Sequence, residues 1–97
     1  MKDELIYKFS PDKNNLLKQT RGISFEDIIR AIDNGFLLDV KPHPDQEKYP
    51  DQDIYIIEIE GYACIVPFVQ EGNTIFLKTA FFSRKATKKY FSSKGET

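Results

Sequence analysis

Apolar and polar positions alternate and recur along this chain in runs that change period from strand to helix and back. Leu5–Phe9 is long enough for a short first strand. Ser10-Pro11-Asp12 follows with the chemistry of a helix start, a hydroxyl for the cap and proline where its missing N–H costs nothing. That helix carries Leu16 and Leu17 and is predicted to end near Arg21-Gly22, glycine supplying the left-handed residue after the last turn. Ser24-Phe25-Glu26-Asp27 has the layout of a capping box. Phe25, Ile28, Ile29 and Ile32 then recur at helical spacing until Asn34-Gly35 stops the second helix.

Phe36–Lys41 is the second predicted strand, and the polar segment from Pro42 to Pro50, with three prolines, is read as a loop. In Ile54–Glu60, Tyr55, Ile57 and Ile59 point one way and Glu58 and Glu60 the other, and Gly61 allows a hairpin. Tyr62–Val69 is apolar on both faces, as a central strand is, and Pro67 is expected at a bulge or near the strand's end. Glu71-Gly72-Asn73 marks another turn, Thr74–Phe82 the last strand, and Arg84–Ser92 a closing helix capped by Ser83 or a neighbour. The order β-α-α-β-β-β-β-α implies an α+β fold. Its expected form is a small antiparallel sheet of about four to five strands, a meander with the two N-terminal helices packed on one face and a C-terminal helix.

Composition adds that residues 1–97 hold one domain and one core, with 40% hydrophobic and 13% aromatic content. The single Cys64, inside an apolar run, reads as a buried small hydrophobe in a reducing cytosol. No apolar run approaches a membrane span and no signal peptide opens the chain, so the expected location is cytoplasmic with no membrane partner.

Charge changes the picture more. Of the 14 basic residues 8 precede Gly72, as do 14 of the 15 acidic ones, so the net charge is −6 before that glycine and +5 from it onward. The closing segment, with Lys78, Arg84, Lys85, Lys88, Lys89 and Lys94, is then either a solvated helix or a grip for a polyanion. Arg84 with Lys88, and Lys85 with Lys89, share helix faces, and like charges at that spacing repel slightly.

Candidate chemistry is sparse. The chain has no phosphate loop or dinucleotide fingerprint, no Gly-x-Ser-x-Gly elbow, and too few His and Cys for a usual zinc site, so no metal and no cofactor are expected. His43, the only histidine, lies four residues before Glu47, with Lys48 and Tyr49 next. An imidazole is the natural group for proton transfer near neutrality, and a carboxylate can orient it. A histidine held between two prolines in an exposed loop with no role is the alternative.

Three separated segments resemble one family in the same order. Ser10-Pro11-Asp12-Lys13-Asn14-Asn15, then Gly22-Ile23-Ser24-Phe25-Glu26, and finally Ser83-Arg84-Lys85-Ala86-Thr87-Lys88 are similar to the opening and closing motifs of the BrnT toxins. These are RelE-like ribonuclease toxins of bacterial type II toxin–antitoxin systems. The chain departs from the family pattern at Arg21, where His is usual, at Ser10, where Asp is usual, and at Tyr49, which stands where an Arg often follows the central His and acids. The resemblance implies a metal-independent endoribonuclease in which the RNA 2′-hydroxyl attacks the neighbouring phosphate. On that reading His43 with Glu47 transfers a proton, Arg84 and Lys85 stabilise charge, and Lys48, Tyr49 and Lys88 bind RNA. It also implies a cognate antitoxin as hetero-oligomeric partner and RNA as target, on or off the ribosome. The competing reading is a non-catalytic module that docks RNA or an acidic protein through the basic C-terminal helix.

Overall fold

In a computed structural model, which describes residues 4–91, the chain folds as a six-stranded mixed sheet with three helices. The elements are β1 (Ile6–Phe9), α1 (Pro11–Arg21), α2 (Phe25–Asp33), β2 (Leu37–Pro42), β3 (Asp53–Ile59), β4 (Tyr62–Glu71), β5 (Thr74–Leu77), β6 (Phe81–Phe82) and α3 (Arg84–Phe91). Ser92 and Lys94 lie outside the described residues.

The α+β class and both N-terminal helices follow from local chemistry. Ser10 caps α1 by accepting from the Lys13 amide, Pro11 takes the first helical position, and Gly22 closes the helix at φ +71°. Ser24 and Asp27 complete the capping box reciprocally, each side chain accepting from the other's backbone N–H at 3.0 Å. The buried Leu17, Ile23, Phe25 and Ile28 pack on the sheet face that carries Tyr55, Ile57, Cys64, Val66, Phe68, Ile75 and Leu77. Each large aliphatic or aromatic side chain buried there contributes about 1.5–3 kcal/mol relative to exposure.

The strand order is β1-β5-β4-β3-β2, and two features differ from a simple meander. First, β1 pairs in parallel with β5, so the sheet is mixed rather than wholly antiparallel. Two helices separate β1 from β2, so no hairpin turn joins them, and β1 docks at the opposite edge of the sheet beside β5. Second, the expected strand Thr74–Phe82 is broken into β5 and β6, which pair with successive halves of β4. Between the Phe68–Leu77 and Ile65–Phe81 pairs, β4 has two residues and the facing chain three. The extra residue falls opposite Pro67, which lacks an N–H for the ladder, while the Pro67 carbonyl accepts from the Lys78 amide. A bulge at Pro67 is thus what the structure contains.

The β3–β4 hairpin turns through Glu60 and Gly61, both at positive φ (53° and 84°), as a two-residue hairpin with right-handed strand twist requires. The opposite sheet face is covered by α3. Ala86 packs there against Ile54, Ile56 and Ala63, with Leu38, Ile65, Tyr90 and Phe91 around them. Since α3 crosses β4, β3 and β2, the β1–β5 side of that face is left without a helix. No helix among the described residues is long and apolar enough to cross a membrane.

Candidate nucleic-acid cleft

The loop from His43 to Gln52 is closed by its own hydrogen bonds. The His43 amide donates to the Gln52 carbonyl, and the Gln52 amide to the Tyr49 carbonyl. Inside it, Tyr49 N–H donates to the Asp45 carbonyl, Lys48 N–H to Asp45 Oδ1, and Gln46 Nε2 to the His43 carbonyl. The prolines therefore bound an ordered turn rather than a slack segment. The His43 and Tyr49 rings lie 4.5 Å apart, tilted by 39°, and the Lys48 ammonium sits 5.5 Å above the Tyr49 ring.

His43 Nδ1 accepts from the Asp45 amide at 3.0 Å. An amide donor at Nδ1 requires that nitrogen to be unprotonated, which places the proton of the neutral ring on Nε2. The residue that orients the imidazole is thus Asp45, through its backbone. Glu47 is exposed in the same loop and makes no hydrogen bond to His43.

His43 and Tyr49 line a cleft of about 690 Å³ at one end of the sheet. Its remaining walls include Lys8 and Phe9 at the end of β1, Ser10 and Lys13 at the start of α1, Gln52, Pro67, Phe76, Phe81 and the Lys78-Thr79 bend after β5. Among the described residues the lining has three lysines and a histidine and no Asp or Glu.

Arg84, Lys85 and Lys88 are elsewhere. They line a separate depression with Thr87 and Phe91. The Ser83 amide donates to the Ala63 carbonyl, which sets the start of α3 level with Ala63, whereas Pro42 is level with Asp53 and so with Phe68. That is five residues along β4 and three strand spacings across the sheet. At about 3.3 Å per residue and about 4.8 Å per strand, the two backbones stand on the order of 20 Å apart. The structure thus gathers His43, Lys48 and Tyr49 with Glu47 nearby, and sets Arg84, Lys85 and Lys88 apart from them.

Several residues of the closing segment have structural tasks. The Ser83 hydroxyl accepts from the Ala86 amide as the cap of α3. Thr87 Oγ1 accepts from the Ala63 amide at 2.9 Å and donates to the Ser83 carbonyl at 2.7 Å, tying helix to strand. Tyr90 donates to Asp39 on β2, which holds the Asp39 carboxyl below its ordinary range and pushes the Tyr90 phenol up to about 12. Burial likewise pushes the Cys64 thiol up to about 12, consistent with a core side chain rather than a nucleophile.

Lys8 and Lys13 were not among the sequence-derived candidates, and Lys78 was counted only with the basic closing segment. Lys8 and Lys13 fall in the acidic part of the chain, where counting charge along the sequence hides them. Lys8 near the end of β1 and Lys13 in the first turn of α1 flank one strand–helix junction, and that shared junction is the signal that could have found them. Among the described residues no three His, Cys, Asp or Glu side chains come together as a metal-ligand set. Compared with known proteins, the chain matches no family model, no curated protein and no solved structure.

Proposed function

We propose that this protein is a metal-independent endoribonuclease toxin acting in the bacterial cytoplasm and silenced by a cognate antitoxin in a hetero-oligomer. The observation that carries the reading is an imidazole held in a cleft whose lining, among the described residues, is cationic and free of carboxylates. The resemblance of three segments to BrnT toxins supports it. RNA cleaves itself when its 2′-hydroxyl loses a proton in line with the adjacent phosphate, so a protein needs to position the strand, stabilise the added charge and move a proton. With Nδ1 engaged by the Asp45 amide, the Nε2–H of neutral His43 can donate a hydrogen bond to substrate. Taking up the 2′-hydroxyl proton requires the ring to release that amide so that a nitrogen lone pair is free. Tyr49 lies against the ring, Lys48 lies over Tyr49, and Glu47 is an exposed carboxylate of the same loop.

Purified protein incubated with RNA in EDTA is expected to cleave it, and His43→Ala and His43→Gln to lower the rate by at least about 100-fold, the usual weight of a positioned acid–base group. RNA left intact by the wild type under every condition, translating ribosomes included, would sink the catalytic reading.

The second reading, a non-catalytic module docking through α3, is favoured by the separate position of Arg84, Lys85 and Lys88. It expects salt-sensitive binding of RNA or an acidic protein without cleavage, weakened by substitution of Arg84 and Lys85.

A further inference from the structure

Lys8, Lys13 and Lys78 reach the cleft from three elements: the end of β1, the first turn of α1 and the bend after β5. The chain has 15 acidic residues against 14 basic, yet none of the acids among the described residues lines this concavity. None of the three ammonium groups forms an ion pair or hydrogen bond with a described residue. Like charges gathered without partners do nothing for folding, but they raise the positive potential of the concavity and draw anions into it.

The cleft is also partly apolar. Register places Lys8 beside Phe76, Phe76 opposite Val69, and Phe81 opposite Ile65, so Lys8, Phe76, Pro67 and Phe81 share one face of the sheet. It is the face that α3 covers further along and leaves uncovered here. Phe81 is 38% exposed, Phe76 is half-buried, and Tyr49 stands at the rim. A small inorganic anion would use the lysines and ignore the rings. A duplex keeps its base faces stacked inside and could not offer them to Phe81 or Tyr49. A flexible chain of phosphates bearing planar apolar groups uses both features, and about 690 Å³ lies within the range of sites that enclose small ligands.

We propose that the cleft holds a single-stranded nucleic-acid segment, its phosphates on Lys8, Lys13 and Lys78 and a base laid against Phe81 and Tyr49. This assigns the strand's grip to the cleft, where reading charge along the chain assigns it to the C-terminal helix. Sequence preference is weak, because Gln52 is the one side-chain amide in the lining and stacking accepts every base. The proposal rests on the ligand class of the endoribonuclease reading but requires no cleavage.

The test is fluorescence anisotropy with a 2′-O-methyl oligouridine of twelve nucleotides, which has no 2′-hydroxyl to attack. Lys8→Gln, Lys13→Gln and Lys78→Gln are each expected to weaken binding several-fold and to reduce the slope of log affinity against log salt by about 0.7, the value for one phosphate of a single strand. Phe81→Ala is expected to weaken binding by about ten-fold through lost stacking. Lys18→Gln, the same charge change on the exposed end of α1, is expected to match the wild type. Melting curves establish that each variant is folded.

Cleft-lysine variants that behave like Lys18→Gln overturn the proposal. So does a duplex or a polyglutamate chain of the same length that competes as well as the single strand. Binding of the methylated strand without cleavage of its 2′-hydroxyl form sinks the endoribonuclease reading and leaves this one standing. Cleavage by protein whose cleft lysines are dispensable for binding does the reverse.

Discussion

The Asn14 side chain is 5% exposed, and both ends of its amide are engaged. Oδ1 accepts from the Phe25 amide at 2.7 Å, and Nδ2 donates to Glu26 Oε1 at 2.9 Å. The first turn of α2 has amides with no partner inside the helix, and Asn14 supplies one of them from α1. Asn14→Ala leaves the buried Phe25 amide without its acceptor, and a loss of about 1–3 kcal/mol in urea unfolding is expected. The same contact, ahead of the Glu26 backbone hydrogen bond, holds the Glu26 carboxyl below its ordinary range. A depressed folded-state value stabilises the fold above the unfolded carboxylate value of about 4.3 and is lost as pH falls through the lower folded one. Acid titration of Asn14→Ala should therefore show a smaller fall in stability over that window than the wild type. Asn14 illustrates how far a motif is readable. The sequence marks it only as one of two adjacent asparagines in the first helix, and the packing of α1 beside α2 assigns it a structural task.

At the scale of elements, α3 has eight residues, too few to persist alone in water. It is held by the Ser83 cap, by the two Thr87 hydrogen bonds, by Ala86 against the sheet and by Tyr90 on Asp39. Thr87→Val keeps the side-chain shape and removes the acceptor for the Ala63 amide. The melting transition is expected to register a loss of about 1–2 kcal/mol, with faster hydrogen exchange at Ala63. The elements that were legible in the sequence were those fixed by neighbours: the caps Ser10 and Ser24, the stop at Gly22, the turns at Gly61 and Gly72. What was hidden depended on distant residues. The parallel pairing of β1 with β5 has no local signature, and the break between β5 and β6 is set by Pro67, which lies on a different strand. The face that α3 covers is likewise decided by the sheet rather than by the helix.

For the molecule as a whole, adding charge along the chain and adding it over the surface give different maps. The sequence assigns the cations to the C-terminal quarter. The fold draws Lys8 and Lys13 out of the acidic region and joins them to Lys78, while Arg84, Lys85 and Lys88 form a second positive region around the other depression. A ligand that fills only the cleft does not meet the second region, and a longer strand does. If the protein cleaves RNA, the double variant Arg84→Gln/Lys85→Gln is expected to raise KM for a long RNA by more than it does for a tetranucleotide, and equal effects on both would contradict the separation of the two regions.

The pairing of β1 with β5 sets a condition on when the molecule can work. Ile6 meets Thr74, and Lys8 and Lys78 reach the same concavity only through that contact. Closing so long a loop is entropically costly and slow, and the strand that rewards it is translated near the end of the chain. A nascent chain interrupted between His43 and Thr74 carries Lys8, Lys13 and His43 but lacks the strand that brings the two lysines to the histidine's side of the sheet. The cleft is therefore incomplete in any product that ends before β5, whatever other lining residues it contains.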